Sequence, residues 1–313
     1  VQAFALGSGE PLWSYGSASE NDFRFGKLAL LGGKTAVEVR DVNGIQGRLL
    51  VLGAGGQLEW EQPLEHVRSL VADGDVLYAA SCHPDGLTVS AYSAAGEKRW
   101  ENRMQQIPCY GRNIAVLPMS IGLAGEIYLL NGYRAVILNR DGTQHSVVQA
   151  DLAYEYSANI AVGTHGRAVV QLDDGQILSM PGGSGLAPYA NAPMRGTATG
   201  TLAWMYDGSL LSASHQFFSG EQGYTSMHQL VRIAPDGTSR EQLQDHYSSD
   251  NNYHKATPPL PHASGFYYVM QKKYDFEILD VSTQLLGTPE GNPRDHPQVS
   301  AALFQPAGES RQQ

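Results

Sequence analysis

The chain has 313 residues, a formal net charge of −10, 42% hydrophobic and 17% charged residues, 35 glycines, 16 prolines and two cysteines. That hydrophobic fraction supports a substantial core and excludes disorder for most of the chain, while the glycine and proline content marks a turn-rich protein. The longest nearly apolar stretch, residues 114–123, is interrupted by Pro118 and Ser120 and is about half of the roughly 20 residues a membrane helix needs, and the lysines and arginines are scattered in runs of no more than two, which argues against nucleic acid as a partner.

A pattern recurs along the chain: an apolar alternating run, a small-residue turn, then a short segment often carrying Trp. Residues 3–13 hold the first copy, turning at Gly7-Ser8-Gly9 and ending on Trp13. Residues 49–60 hold the second, with the turn Ala54-Gly55-Gly56 before Trp60. Residues 69–80 then form a different unit, two apolar runs around Asp73-Gly74, which is a strong hairpin signal because the central residues must tolerate positive φ. Residues 89–100 repeat the first pattern, through Gly96 to Trp100.

Weaker copies follow at residues 135–146, turning at Arg140-Asp141-Gly142, and 176–189, turning at Gly182-Gly183-Ser184-Gly185. A second Asp-Gly hairpin is expected over residues 202–213, around Asp207-Gly208. The last copies lie at 230–243, turning at Pro235-Asp236-Gly237, and 276–286, turning near Ser282. Gly9, Gly56, Gly96, Gly142, Gly185, Gly237 and Ser282 are about 40 to 52 residues apart, the period of propeller repeats. Two hairpins per period make four antiparallel strands, one propeller blade.

The fold expected is therefore all-β, a β-propeller of four-stranded antiparallel blades, with seven blades favoured over six or eight. A parallel α/β fold fails because glycines interrupt nearly every helical window, and the repeated Trp decides against a two-sheet sandwich. The domain expected spans residues 1–286, followed by an irregular Pro-rich tail over 287–313. The chain begins at the third strand of a blade, so a ring-closing strand is expected at 299–304.

The segments at residues 4–13 and 91–100, Phe-Ala-Leu-Gly-Ser-Gly-Glu-Pro-Leu-Trp and Ala-Tyr-Ser-Ala-Ala-Gly-Glu-Lys-Arg-Trp, resemble the tail of the pyrroloquinoline-quinone-type propeller repeat. That superfamily includes quinoprotein dehydrogenases and non-enzymatic extracytoplasmic scaffolds such as the propeller lipoprotein of outer-membrane protein assembly, and the resemblance here is to the scaffold branch. The dehydrogenases use adjacent cysteines and a calcium site; Cys82 and Cys109 are not adjacent, and no Asp/Asn/Glu cluster has calcium-loop spacing. No cofactor and no metal are expected.

In such a blade the innermost strand starts on the rim to which the second strand returns. Arg24, Arg68, Arg112, Asn159, Arg195 and Lys255 come just before the proposed innermost strands, with Phe23, Phe25, His66, Tyr110, Tyr156, Tyr253 and His254 nearby. One reading is a cationic, aromatic-edged central funnel suited to a carboxylate, a uronic acid or an acidic peptide. Its ligand-binding set is Arg24, His66, Arg68, Tyr110, Arg112, Tyr156, Asn159, Arg195, Tyr253 and His254. The competing reading is that each Arg ties one blade's backbone to the next.

Two long polar connections are expected on this rim, an inter-blade stretch over 244–254 and an intra-blade loop from His215 to Met227. His246 and His254 could be metal ligands, or an acid/base pair with Asp250, or members of a solvated loop. Glu155 and Asp245 are the carboxylates considered for catalysis. No nucleophile elbow, zinc-protease or phosphate-loop motif is present, so no catalytic residue is assigned.

Cys82 ends the second strand of one proposed blade and Cys109 immediately precedes the first strand of the next, on the same rim. A disulfide between them is one expectation; two packed thiols is the other. The chain opens at Val1 without a secretory-signal pattern, so either none exists or the chain is a processed or trimmed product; an extracytoplasmic location, periplasmic or secreted, is expected from the disulfide. The expected role is non-enzymatic: a binding or assembly scaffold that presents one rim and the funnel to a protein or an anionic glycan. The alternative is an enzyme, a lyase or hydrolase of an acidic polysaccharide.

Overall fold

The computed structural model describes residues 1–4, 10–16, 23–41, 47–107, 109, 117–122, 124–131, 134–149, 157–163, 168–172, 176–180, 187–189, 197–204, 208–220, 223–238, 240–248, 255–256, 260–262, 265–272 and 275–280. All regular structure among them is β. β1 (Gln2–Phe4) and β2 (Pro11–Ser14) form a two-stranded pair. The first four-stranded sheet joins β3 (Phe23–Leu31), β4 (Lys34–Asp41), β5 (Gly47–Leu52) and β6 (Leu58–Pro63). The second joins β7 (Val67–Asp73), β8 (Val76–His83), β9 (Gly86–Ser93) and β10 (Lys98–Met104). The third joins β11 (Met119–Ile121), β12 (Ile127–Asn131), β13 (Arg134–Leu138) and β14 (Gln144–Gln149).

The fourth joins β15 (Ser157–Val162), β16 (Ala168–Leu172), β17 (Ile177–Met180) and β18 (Ala187–Pro188). The fifth joins β19 (Thr197–Trp204), β20 (Leu210–Gly220), β21 (Gly223–Ile233) and β22 (Arg240–Ser248). Each of these five is an antiparallel meander with strands in chain order. In the last sheet β25 (Gly265–Lys272) pairs on one edge with β23 (Lys255–Ala256) and β24 (Leu260–His262), and on the other with β26 (Asp275–Asp280).

The first strands of successive sheets touch in the order β3, β7, β11, β15, β19. Meanders that meet through their first strands and carry their fourth strands outward make a β-propeller. The side-chain period of two builds the core between the blades. On the β7–β10 sheet, Leu70, Ala72, Leu77, Ala79 and Tyr92 pack toward β3–β5, whereas Val71, Val76, Tyr78, Ala80, Val89 and Ala91 pack toward β11–β13. Both faces being buried, the central strands are continuously apolar, which is why alternation there is weak in the sequence.

The repeated turn is one structure. At Gly53 to Gln57, Ser93 to Glu97 and Asn139 to Thr143 the first N–H donates to the carbonyl four residues on, at 2.8 Å. The glycine N–H donates back to the first carbonyl, at 2.9 Å. This is a type I turn closed by a left-handed residue, with a bulge in the ladder beside it. Gly56, Gly96 and Gly142 take φ of 81°, 88° and 85° at that residue.

A second constraint falls on the same glycines. A Cβ would sit 2.7 Å from the ring of Trp13 at Gly56, 2.9 Å from Trp60 at Gly96 and 2.6 Å from Trp100 at Gly142. Trp60 and Trp100 come from the fourth strand of the preceding sheet and Trp13 from β2 of the two-stranded pair, and each ring lies against the next turn. Trp60 Nε1 donates to the Ala94 carbonyl at 3.0 Å and Trp100 Nε1 to the Arg140 carbonyl at 3.1 Å. Two residues on, Gln62 Nε2 donates to the Gly96 carbonyl and Asn102 Nδ2 to the Gly142 carbonyl. At the fourth sheet Tyr189 takes the same place, its hydroxyl donating to the carbonyls of Ala234 and Pro235 beside Gly237.

Three expectations are corrected. Asp73 pairs with Val76, so the hairpin turns at Gly74-Asp75; Gly74 alone has positive φ, as a two-residue turn with glycine first requires. His215 to Met227 is no loop: β20 and β21 stay paired through to Gly220 and Gly223, because polar residues alternate through a ladder as readily as they fill a loop. Residues 244–248, with His246, belong to β22 for the same reason. The turns at Gly9, Gly185 and Ser282, the tail 287–313 and the expected closing segment 299–304 lie outside the described residues, as does the count of blades that depends on them. Among the described residues no helix is long and apolar enough to cross a membrane.

Gly142→Ala is expected to lower stability by about 1–3 kcal/mol, through positive φ and the clash with Trp100. Trp100→Phe, which removes the indole N–H bond and trims the ring that covers Gly142, should lower it by at least about 1 kcal/mol. Urea unfolding measures both, and equal losses would mean that the ring's contact with the glycine is not what limits the site.

Candidate anion-binding site

Near their starts, four of the first strands carry a β-bulge. Phe25 pairs with Val39 and Leu28 with Val37, so Gly26 and Lys27 stand against Glu38 alone. Val67 pairs with Ser81 and Ser69 with Ala80, which makes Arg68 the extra residue of β7. Ala158 is extra in β15, and Thr199 and Gly200 in β19. A bulge re-aims a side chain and tightens local twist. In β3 and β7 the residue re-aimed is a cation.

These two bulges lie on neighbouring first strands, and the space between them is charged. Glu38 of β4 is only 3% exposed. Its Oε2 accepts the Lys27 main-chain N–H at 3.0 Å, and its Oε1 lies 3.7 Å from Arg40 Nε. Lys27 is 8% exposed, and burial pushes its ammonium below the usual lysine value; Glu38 opposes that shift, while Arg40 and Arg68 add to it. Arg68 is lowered by burial first and then by Arg40, again opposed by Glu38. Its Nε is buried with no hydrogen-bond partner. Three cations against one carboxylate leave 3 − 1 = 2 positive charges at this junction, in a chain whose net charge is −10. Such a set has spare donors for a carboxylate or another oxyanion.

The rim beside it is braced. His66, in the connection between β6 and β7, has a φ of 54°, a left-handed conformation that histidine adopts more readily than most residues. Its carbonyl accepts the Cys82 N–H at 3.1 Å, and its ring meets His83 edge-on at 5.5 Å. Cys82 is disulfide-bonded to Cys109, 27 positions on in sequence, with Cα atoms 5.6 Å apart. The bond joins the end of β8 to the connection between two blades. Cys109 does not immediately precede a strand, because β11 begins at Met119; Pro118 has no N–H to give to the ladder.

Of the residues expected in the funnel, Arg68 is at the charged junction and His66 beside the disulfide. Arg24 lies within β3, opposite Arg40, and Asn159 within β15, opposite Gln171. Lys255 is in β23. Tyr110, Arg112, Tyr156, Arg195, Tyr253 and His254 fall outside the described residues, as do Asp250 and Glu155. Sequence reasoning missed Lys27, Glu38 and Arg40. The signal was Glu38 in the otherwise apolar run Ala36-Val37-Glu38-Val39, a carboxylate that a buried strand holds only with partners.

No protein-family model matches the sequence, and no curated protein sequence matches it. Among solved structures, the chain is similar to a protein of unknown function from Bacteroides caccae, at 12% identity and a TM-score of 0.49, covering 75% of this chain and 86% of that one. It is also similar to a catalytically inactive virginiamycin B lyase from Staphylococcus aureus with quinupristin, at 11% identity and a TM-score of 0.46, covering 82% of this chain and 98% of that one. At these values neither likeness assigns an activity, and the architecture rests on the strand pairing itself.

Reducing the disulfide, or Cys82→Ala with Cys109→Ala, is expected to destabilise the protein by about 3–4 kcal/mol in the chain-entropy model, measured by unfolding with and without reductant. Thiol titration of the denatured, unreduced chain should find no free thiol. The lowered Lys27 ammonium predicts a pH dependence of definite sign. Between its folded value and the usual 10.5 the unfolded chain binds the extra proton, so stability from this group rises with pH through that window. Tyr78, Tyr92 and Tyr128, raised mainly by burial, act in the opposite direction. The difference in urea midpoint between wild type and Lys27→Met isolates the lysine: the variant's advantage should shrink as the pH rises.

Proposed function

We propose that this protein is a non-enzymatic, extracytoplasmic binding or assembly propeller that receives a carboxylate-bearing partner, an acidic peptide segment or an anionic glycan, between β3 and β7. The observation that carries this reading is the convergence of Lys27, Arg40 and Arg68 on the single buried carboxylate of Glu38, with the buried Nε of Arg68 left unpartnered. A bound carboxylate would supply the missing negative charge and accept the idle donor. The disulfide supports a location in an oxidising compartment. The resemblance of the turn repeats to the pyrroloquinoline-quinone-type scaffold branch supports an assembly role. The remaining funnel residues, Arg24, Tyr110, Arg112, Tyr156, Asn159, Arg195, Tyr253 and His254, extend the same surface in this reading.

Titration calorimetry with an oligogalacturonate and with a Glu-rich peptide tests it and separates the two partner classes. Binding of one of them is expected at low salt, weakening with ionic strength. Arg68→Ala should weaken it about tenfold or more, and Arg68→Lys nearly as much, since lysine lacks the planar fork. Binding untouched by Arg68→Ala and Lys27→Met would sink the assignment of the site, and turnover of the glycan would sink the non-enzymatic reading.

A further inference from the structure

Arg68 is gripped from both sides, and both grips lead to the same covalent bond. As the extra residue of β7 it has no partner in β8: Val67 pairs with Ser81 and Ser69 with Ala80. Just before the bulge, the Cys82 N–H donates to the His66 carbonyl at 3.1 Å. On the other side of β7, the Leu117 N–H donates to the Arg68 carbonyl at 3.4 Å. Cys109 lies on the connection that leads to Leu117, and it is bonded to Cys82. Main chain, two hydrogen bonds and one disulfide thus close a loop around the bulge. Both cysteines pack, half-buried, against the apolar cluster that holds Leu117 and Met119.

We propose that the Cys82–Cys109 disulfide is a redox control of anion binding at Arg68, a role that rests on the anion-binding reading of the β3–β7 junction. The oxidised bond holds the bulge that aims the guanidinium, and reduction releases it. The element with two arrangements is the start of β7. Val67 and Leu70, three apart, both pack on the β3 side, which a side-chain period of two allows only across a bulge. In a ladder without the bulge, Arg68 would stand opposite Ser81 and Val67 opposite Cys82, with the His66 bond given up. His66, left-handed at a φ of 54°, is kept so by that bond and by the His83 ring, and both depend on the end of β8 staying fixed. The chemistry is thiol–disulfide exchange with a dithiol. The reductant gives two electrons and two protons, the S–S bond breaks, Cys82 and Cys109 become thiols, and the reductant leaves as its own disulfide. Partial exposure of both cysteines gives the attacking thiolate access.

The test titrates oxidised and dithiothreitol-reduced protein with the Glu-rich peptide and with the oligogalacturonate at low salt. Reduction is expected to weaken binding about tenfold, as when the competent arrangement is populated about a tenth of the time, and reoxidation to restore it. In Arg68→Ala, reduction should change the remaining affinity by less than about twofold, because the control acts through that side chain. Gly142→Ala, which destabilises a different blade, should leave the affinity of the oxidised protein unchanged. Hydrogen exchange reads the same event without a ligand: the Cys82 and Leu117 amides should lose protection on reduction while β4 and β5 keep theirs. Equal affinity in the two redox states, unchanged protection at both amides, or an equal loss on reduction in Arg68→Ala would each overturn the proposal. So would a matching loss in Gly142→Ala, or unfolding of the whole chain on reduction. If the oxidised protein binds neither probe, the anion-binding reading itself fails and the control falls with it.

Discussion

The structure depends on an aromatic ring laid over a glycine. Backbone hydrogen bonds tie strands mainly within a blade, the Leu117 N–H donating to the Arg68 carbonyl at 3.4 Å from one blade to another, so the blades are held to one another chiefly by side chains. Apolar packing between faces supplies most of that attraction, and it is non-directional. The ring on the fourth strand adds direction: it covers the next blade's turn from one side only, and its N–H or O–H takes up a turn carbonyl. The amide two residues later bonds the glycine carbonyl itself, so register and distance are fixed together.

With the outer ends clasped and both faces of each blade buried, the first strands carry the polar irregularities. Lys27 and Arg68 each sit where the ladder has one residue too many. Burying charges of this kind is seldom stabilising, and removing a single partner is worse than removing all of them. The junction is thus held in place by packing elsewhere, principally Leu49, Val51, Leu70 and Leu77 on the adjoining faces. A position that the fold supports and that does not itself support the fold is free to be shaped by a ligand.

The outer turns at Gly56, Gly96, Gly142 and Gly237 were legible in the sequence, because a left-handed glycine under an aromatic ring is demanded by one geometry and leaves a signature in both residues. Gly56, Gly96, Gly142 and Gly237 are all left-handed turn glycines where the repeat placed them. Tyr189 was harder, since a tyrosine in that place reads as an ordinary strand residue until its hydroxyl is seen on the Pro235 carbonyl. The disulfide was one of two expectations for Cys82 and Cys109, made possible by the topology, and it forms even though β11 starts later than the sequence suggested. The charged junction was nearly invisible. Arg68 stood out by its position, but Lys27 and Glu38 meet only because a bulge sets two residues against one, and bulges leave no fixed spacing in the chain. The length of β20 and β21 was missed for a related reason: polar residues in a protruding hairpin look like a loop.

The clasp also has a direction along the chain. In each pair the aromatic precedes the turn it covers, by 34 residues for Trp60 and Ala94 and by 45 for Tyr189 and Ala234. During synthesis every ring is therefore made before its seat exists. At the roughly 5–20 residues per second of translation it stays uncovered for a few seconds. A nascent chain that ends just past Trp60, Trp100 or Tyr189 therefore presents an uncovered aromatic until the next turn is made.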